Sequence, residues 1–133
     1  LLIAQWWHTL SDRLPEAILA VARRDGSTNH QIYAGKEDRA IVYGWLLQHC
    51  LPLLAENPKP KLLQSIREHY QFFGHDTRIA ILDLHLRPTI SAEVRRTWLI
   101  DLLKLPIGNF QALEVATVKF VTKVIYESLS VKN

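Results

Sequence analysis

The residues with the most open chemistry in this sequence are cationic. Arg95, Arg96, Lys104, Lys119 and Lys123 recur through its last third, and Lys59 and Lys61 flank Pro60. Lysine and arginine contact phosphate backbones with little demand on spacing, so these seven are the candidate nucleic-acid-binding positions. Arg95 is the most informative of them. Val94, Trp98, Leu99 and Leu102 define the apolar face of a helix, and Arg95 falls in its middle. A buried, unpaired guanidinium is costly. Arg95 therefore snorkels past a short edge, pairs with a carboxylate, or faces a partner. Lys119 and Lys123 are a like-charge pair four residues apart, mildly unfavourable in isolation. They form either a solvated stripe or, with Arg96 and Lys104, a stripe that contacts a backbone. Lys59 and Lys61 read as a solvated turn or as further phosphate contacts.

Metal chemistry is the second possibility. His49, the pair His75-Asp76, and Asp101 occur in that order. This resembles the H…HD…D order of the HD-type metal phosphohydrolases, an all-helical family. The resemblance implies that these side chains hold a divalent ion, which polarises phosphate and activates water. In that family the His-Asp pair lies within an apolar helical stretch. Here it follows Phe72-Phe73-Gly74 and reads as a turn with Asp76 as an N-cap. Unrelated surface histidines plus one cap are the plainer account. No histidine pair brackets a glutamate at i,i+4, and neither a glycine-rich phosphate loop nor a CxxC pair occurs. Asp83 and His85 are two apart and would not share a helix face. The expectation is a chain with no catalytic residues, no metal and no cofactor.

The aromatic residues suggest contacts rather than catalysis. Trp45 and Trp98 read as core. Trp6 and Trp7 are adjacent and cannot share a helix face, so one of them is exposed or at a protein interface. Cys50 lies in the apolar run 41–51 and reads as a small buried hydrophobe. A single cysteine makes no internal disulfide.

These side chains must be positioned by helices. The breaks Asp25-Gly26-Ser27-Thr28-Asn29, Asn57-Pro58-Lys59-Pro60, Gly74-His75-Asp76, Arg87-Pro88-Thr89 and Pro106-Ile107-Gly108-Asn109 are short and rich in turn residues. Most segments between them suit helices better than strands. The first runs from about Leu2 to Arg24, with Pro15 dividing it or starting a second helix. The second runs from about Lys36 to Leu51 and is apolar on nearly all sides. The third, from Lys61 to Phe73, buries Leu62, Leu63, Ile66, Tyr70 and Phe73 and exposes Gln64, Arg67, Glu68 and Gln71. The fourth, from Thr77 to Leu86, is a short helix despite a strand-like alternation at 82–86. The fifth starts at the N-cap Ser91, and the last at Asn109, running to about Leu129 at the centre of the bundle. The chain is expected to be all-α, a compact bundle of five to six helices forming one domain over residues 1–133.

The 133 residues carry 16 Lys and Arg against 13 Asp and Glu, a net charge of +3. That excess is compatible with an anionic partner without demanding one. No secretory leader and no membrane span is visible, so a cytoplasmic protein with no membrane partner is expected. The sequence holds no methionine, so either its true start is missing or it is a piece of a longer chain.

Taken over all six segments, this plan resembles the small subunit of CRISPR Cascade-type effector complexes. The likeness lies in a compact basic helical bundle of this size, without catalytic residues, ending in a long helix such as 109–129. The resemblance implies copies arranged head to tail, packed against other subunits. It also implies lysines and arginines on the backbone of a target or displaced strand, with no base-specific readout. A helical adaptor that binds only protein, through Trp6 or Trp7 and an apolar helix face, is the other non-enzymatic reading.

Overall fold

Proline does not stop the first two helices. Helix α1 spans Trp7–Gly26 and runs through Pro15, and α2 spans Glu37–Glu56 and runs through Pro52. The sequence places a break at the first proline and an end just before the second. Both prolines are exposed. Pro52 frees the carbonyl of exposed Gln48, which water can take, whereas Pro15 frees that of Ser11, a buried residue whose hydroxyl accepts from Lys59 Nζ at 2.9 Å. Leu14 and Ile18, or Leu51 and Leu54, stay buried close by.

The computed structural model describes residues 7–26, 37–105 and 114–130. Among them are six α-helices and no strand, so the chain is an all-α helical bundle. After α2 come α3 (Pro60–Glu68), a 3-10 turn (Tyr70–Phe72), α4 (His75–His85), α5 (Ala92–Leu102) and α6 (Glu114–Ser130). Pro60 opens α3, where its missing N–H costs nothing. The segment with strand-like alternation is α4, a helix. Its N-cap is Gly74, not Asp76. The Gly74 N–H donates to Asp25 Oδ2 at 2.8 Å, so the acid that binds this helix start comes from α1. Ser91 caps α5 as expected, its Oγ accepting from the Val94 N–H at 3.2 Å. The expected start of the last helix at Asn109 lies outside the described residues.

α1 packs on α2, α3 and the 3-10 turn; α2 packs on α4; α6 packs on α4 and α5. One buried cluster draws on every helix, including Ile18, Leu54, Ile66, Ile81, Trp98 and Phe120. Trp98 joins several elements. Its ring meets Tyr70 at 5.2 Å and Phe120 at 5.3 Å, both near edge-to-face, and His85 at 4.4 Å. Contacts of this geometry between aromatic rings add about 0.5–1.5 kcal/mol each beyond burial.

Two helices bury their apolar residues differently from expectation. Trp45 is not core: it is 67% exposed and stacks on His49. Helix α2 buries Leu47, Cys50 and Leu54 but turns Ile41 and Val42 outward with Trp45. Helix α6 is not central: among its described residues only Ala116, Phe120 and Val124 are buried, while Val118, Ile125 and Leu129 are exposed. An apolar run identifies residues that favour burial, not the element that covers them. No described helix is long and apolar enough to cross a membrane.

Candidate nucleic-acid interface

Arg95 organises the meeting of α5 and α6 and is not available to a phosphate. Its side chain is buried. Nε donates to Glu127 Oε1 at 2.7 Å, and the second terminal nitrogen pairs with Glu127 Oε2. The other terminal nitrogen donates to three carbonyls: Ile90 at 2.7 Å, His85 at 3.0 Å and Arg87 at 3.3 Å. The carbonyls at the end of a helix lack intrahelical donors. One guanidinium therefore serves the end of α4, the turn behind it and the carboxylate of α6. Of the three readings open from sequence, pairing with a carboxylate is the one realised. The assignment of Arg95 to nucleic-acid contact is corrected accordingly.

The next residue faces a different way. Arg96 is only half-buried, since one residue turns a helix by about 100°. Glu127 sits within the electrostatic reach of both Arg96 and Lys123. The hydrogen bond from Arg95 chiefly holds the Glu127 carboxyl below its usual range, and the charges of Lys123 and Arg96 add to that. Lys119 lies one turn before Lys123, and both are exposed. Arg96 and Lys123 thus flank a carboxylate already bonded to Arg95, and Lys119, two turns before Glu127 on α6, carries the cationic stripe about 12 Å away from it.

Tyr126 completes this face, and sequence reasoning missed it. At i+7 from Lys119 and i+3 from Lys123 it falls within the same narrow arc of α6, and it is 66% exposed. That spacing was readable, but a tyrosine in an apolar-rich helix reads as core. The combination of cations and an exposed ring can hold phosphates while a base stacks.

The remaining predicted positions lie elsewhere. Lys104 follows the far end of α5, about 12 Å along the axis from Arg96 at 1.5 Å per residue. Its Nζ is 3.9 Å from Asp101 Oδ1, with both side chains largely exposed. Lys59 belongs to the α1–α3 junction, where it donates to Ser11 Oγ at 2.9 Å and sits 5.7 Å over the Trp7 ring. Lys61 is exposed in the first turn of α3. Trp7 is buried beneath Lys59 and offers no ring to a protein partner, which corrects its interface assignment. Trp6 lies outside the described residues.

The candidate metal ligands are dispersed over three helices. His49 is exposed on α2, its Nδ1 2.8 Å from the Trp45 carbonyl oxygen. His75 and Asp76 are exposed in the first turn of α4, and Asp101 is exposed near the end of α5. Among the described residues, no group of three or more His, Cys, Asp or Glu could hold a metal ion. Cys50 is buried as expected, and burial pushes its thiol pKa up.

A second polar feature was also missed. Arg67, expected on the solvated face of α3, is half-buried, and one of its terminal nitrogens lies 3.3 Å from His85 Nε2. His85 is fully buried, and its Nδ1 lies 2.8 Å from the Ile81 carbonyl. Nδ1 therefore carries the proton and donates, leaving Nε2 to accept from Arg67. Burial above all pushes the His85 pKa down to about 4, so the ring is neutral. Nothing in the sequence linked residues 67 and 85, because their meeting depends on how α3 packs beside α4.

Comparison with family models, characterised proteins and solved structures returns no match to this chain.

Proposed function

We propose that this chain is a non-catalytic helical subunit of a cytoplasmic, nucleic-acid-containing assembly. It holds the phosphate backbone of a single strand on the α5–α6 face, through Arg96, Lys119 and Lys123, with Tyr126 stacking on a base. The observation that carries this reading is the gathering of cations from two helices around one spent carboxylate. Arg95, Arg96, Lys119 and Lys123 against Glu127 leave an excess of three positive charges, or two if Glu93, one turn before Arg96, is counted. Such an excess favours an anionic ligand without base readout. The outward apolar residues of α2 and α6, notably Val42, Trp45, Val118 and Ile125, support contacts with neighbouring subunits or further copies of the chain. The resemblance of plan to the small subunit of CRISPR Cascade-type complexes points the same way, with a target or displaced strand as ligand. Those same apolar faces also favour a second reading, an adaptor that binds protein alone.

Fluorescence anisotropy with a labelled single-stranded oligonucleotide of mixed sequence at low salt separates the two. The wild type binds, and R96Q/K119Q/K123Q loses at least tenfold in affinity while keeping its helical circular dichroism. Loss of three backbone contacts also flattens the salt dependence by about 2 in log–log slope. Unchanged affinity in the triple variant, or no binding by the wild type alone and in its native complex, would overturn the reading in favour of the adaptor.

A further inference from the structure

We propose that the cleft between α3 and α5 binds a small zwitterion with an apolar body, the head group and side chain of a free aliphatic α-amino acid being its simplest form. This site lies apart from the cationic α5–α6 face and does not depend on the function proposed for it.

The cleft encloses about 430 Å³, within the range of small-molecule sites. Its α3 side presents Arg67 and Glu68. Its α5 side presents Asp101 and an apolar wall that includes Val94, Leu102 and, just beyond the helix, Leu105. Arg67 is the anchor. The acceptor His85 Nε2 fixes one terminal nitrogen, and His85 is itself held by the Ile81 carbonyl. A planar guanidinium pinned at one corner presents its remaining N–H groups in a set direction. Among the described residues, no carboxylate comes within 4.0 Å of Arg67. Burial works against its charge, and the fields of Glu68 and Asp101 support it from further off. A guanidinium half out of water with donors to spare suits a planar carboxylate.

The charge order decides the ligand class. A simple anion seated on Arg67 would also meet the repulsion of Glu68, which accepts from Gln64 at 3.1 Å, and of Asp101, whose exposed neighbour Lys104 stands 3.9 Å off and offsets it only in part. A simple cation drawn to those two acids would meet Arg67. A ligand with a carboxylate and an ammonium a few bonds apart satisfies both, and its apolar side chain covers the α5 wall. Leucine matches that wall in character and fits the volume.

The test is an NMR titration of the full chain with L-leucine, isovalerate and isoamylamine. The last two keep the apolar body but carry only the carboxylate or only the ammonium. Leucine should shift backbone amides in 64–71 and 94–105, with each single-charge analogue at least tenfold weaker. In R67Q the leucine shifts should vanish. D101N, a change at an exposed position, should weaken leucine and not isovalerate. D101N also keeps the test independent of any folding defect in R67Q. Isovalerate binding as tightly as leucine would make this a plain anion site and overturn the proposal. Amides that stay unmoved by leucine at millimolar concentration would overturn it as well.

Discussion

Replacing Arg95 with methionine keeps much of the side chain's length and removes every one of its hydrogen bonds. The change strips two donors from Glu127 and leaves the carbonyls of His85, Arg87 and Ile90 without their guanidinium partner. Glu127 keeps only a fifth of its side chain exposed, so solvent recovers little of the loss. Breaking such a pair by removing one partner costs about 3–5 kcal/mol. For a domain of this size that lowers Tm by roughly 10–20 °C. Glu127→Gln retains the three carbonyl bonds and should cost less, about 1.5–3 kcal/mol. R95M/E127L removes both charges and should lose less than the two single changes combined, because neither charge is left stranded. Urea denaturation followed by circular dichroism at pH 7 and fixed protein concentration measures all four proteins. The pH dependence has a definite sign. A carboxyl depressed in the folded state contributes stability above its unfolded pKa, and that contribution fades as pH falls through the folded value. The gap between wild type and E127Q should therefore narrow as pH drops below about 4.5. If R95M unfolds within 1 kcal/mol of wild type, or the double variant loses the sum of the singles, the clamp is not what joins α5 to α6.

Other expectations follow from burial. His85, lowered to about 4 by burial, binds its proton more readily unfolded than folded. Its contribution, on the order of 3 kcal/mol from the shift, is present above pH 6.5 and is lost as pH falls toward 4. Its ring resonances should hold still in an NMR titration from pH 8 to 5, and movement with a midpoint near 6.5 would contradict the buried, neutral ring. Trp98→Ala should cost about 3–5 kcal/mol, whereas Trp45→Ser should stay within about 0.5 kcal/mol; equal losses in denaturant melts would show that the two rings are misplaced. Cys50 should react with a thiol reagent only as fast as the protein opens, since its buried thiol resists ionisation. Labelling within seconds under native conditions would place it at the surface.

Much of the fold was legible because helices announce themselves by caps and by apolar spacing. Ser91 is the clearest case: a residue type that suits an N-cap, followed by a helix that uses it. The errors share a physical origin. Pro15 and Pro52 read as breaks because proline is costly inside a helix, yet both rings are exposed and each helix carries on through them with buried residues on either side. Trp45 read as core because large aromatic rings favour burial, and only the packing of α2 on α1 and α4 sets which of its sides is inside. Arg95 stands out in the sequence as a charge on an apolar face, but its partner lies 32 residues away on another helix. Long-range pairing of that kind leaves no local signature. Arg67 shows the converse, since its place on the polar face of α3 is readable and its half-burial comes from elements distant in sequence, His85 of α4 and the α5 residues across the cleft.

The most direct test of the account is to ask where a bound strand lies. Photocrosslinking of the native chain to a single-stranded oligonucleotide carrying bromouridine, followed by peptide mass spectrometry, answers that residue by residue. The α5–α6 face predicts crosslinks at Tyr126 and in the peptides bearing Arg96, Lys119 and Lys123. Crosslinks confined to the α1–α3 junction around Lys59 and Lys61, or the same yield with Y126A/R96Q, would contradict it.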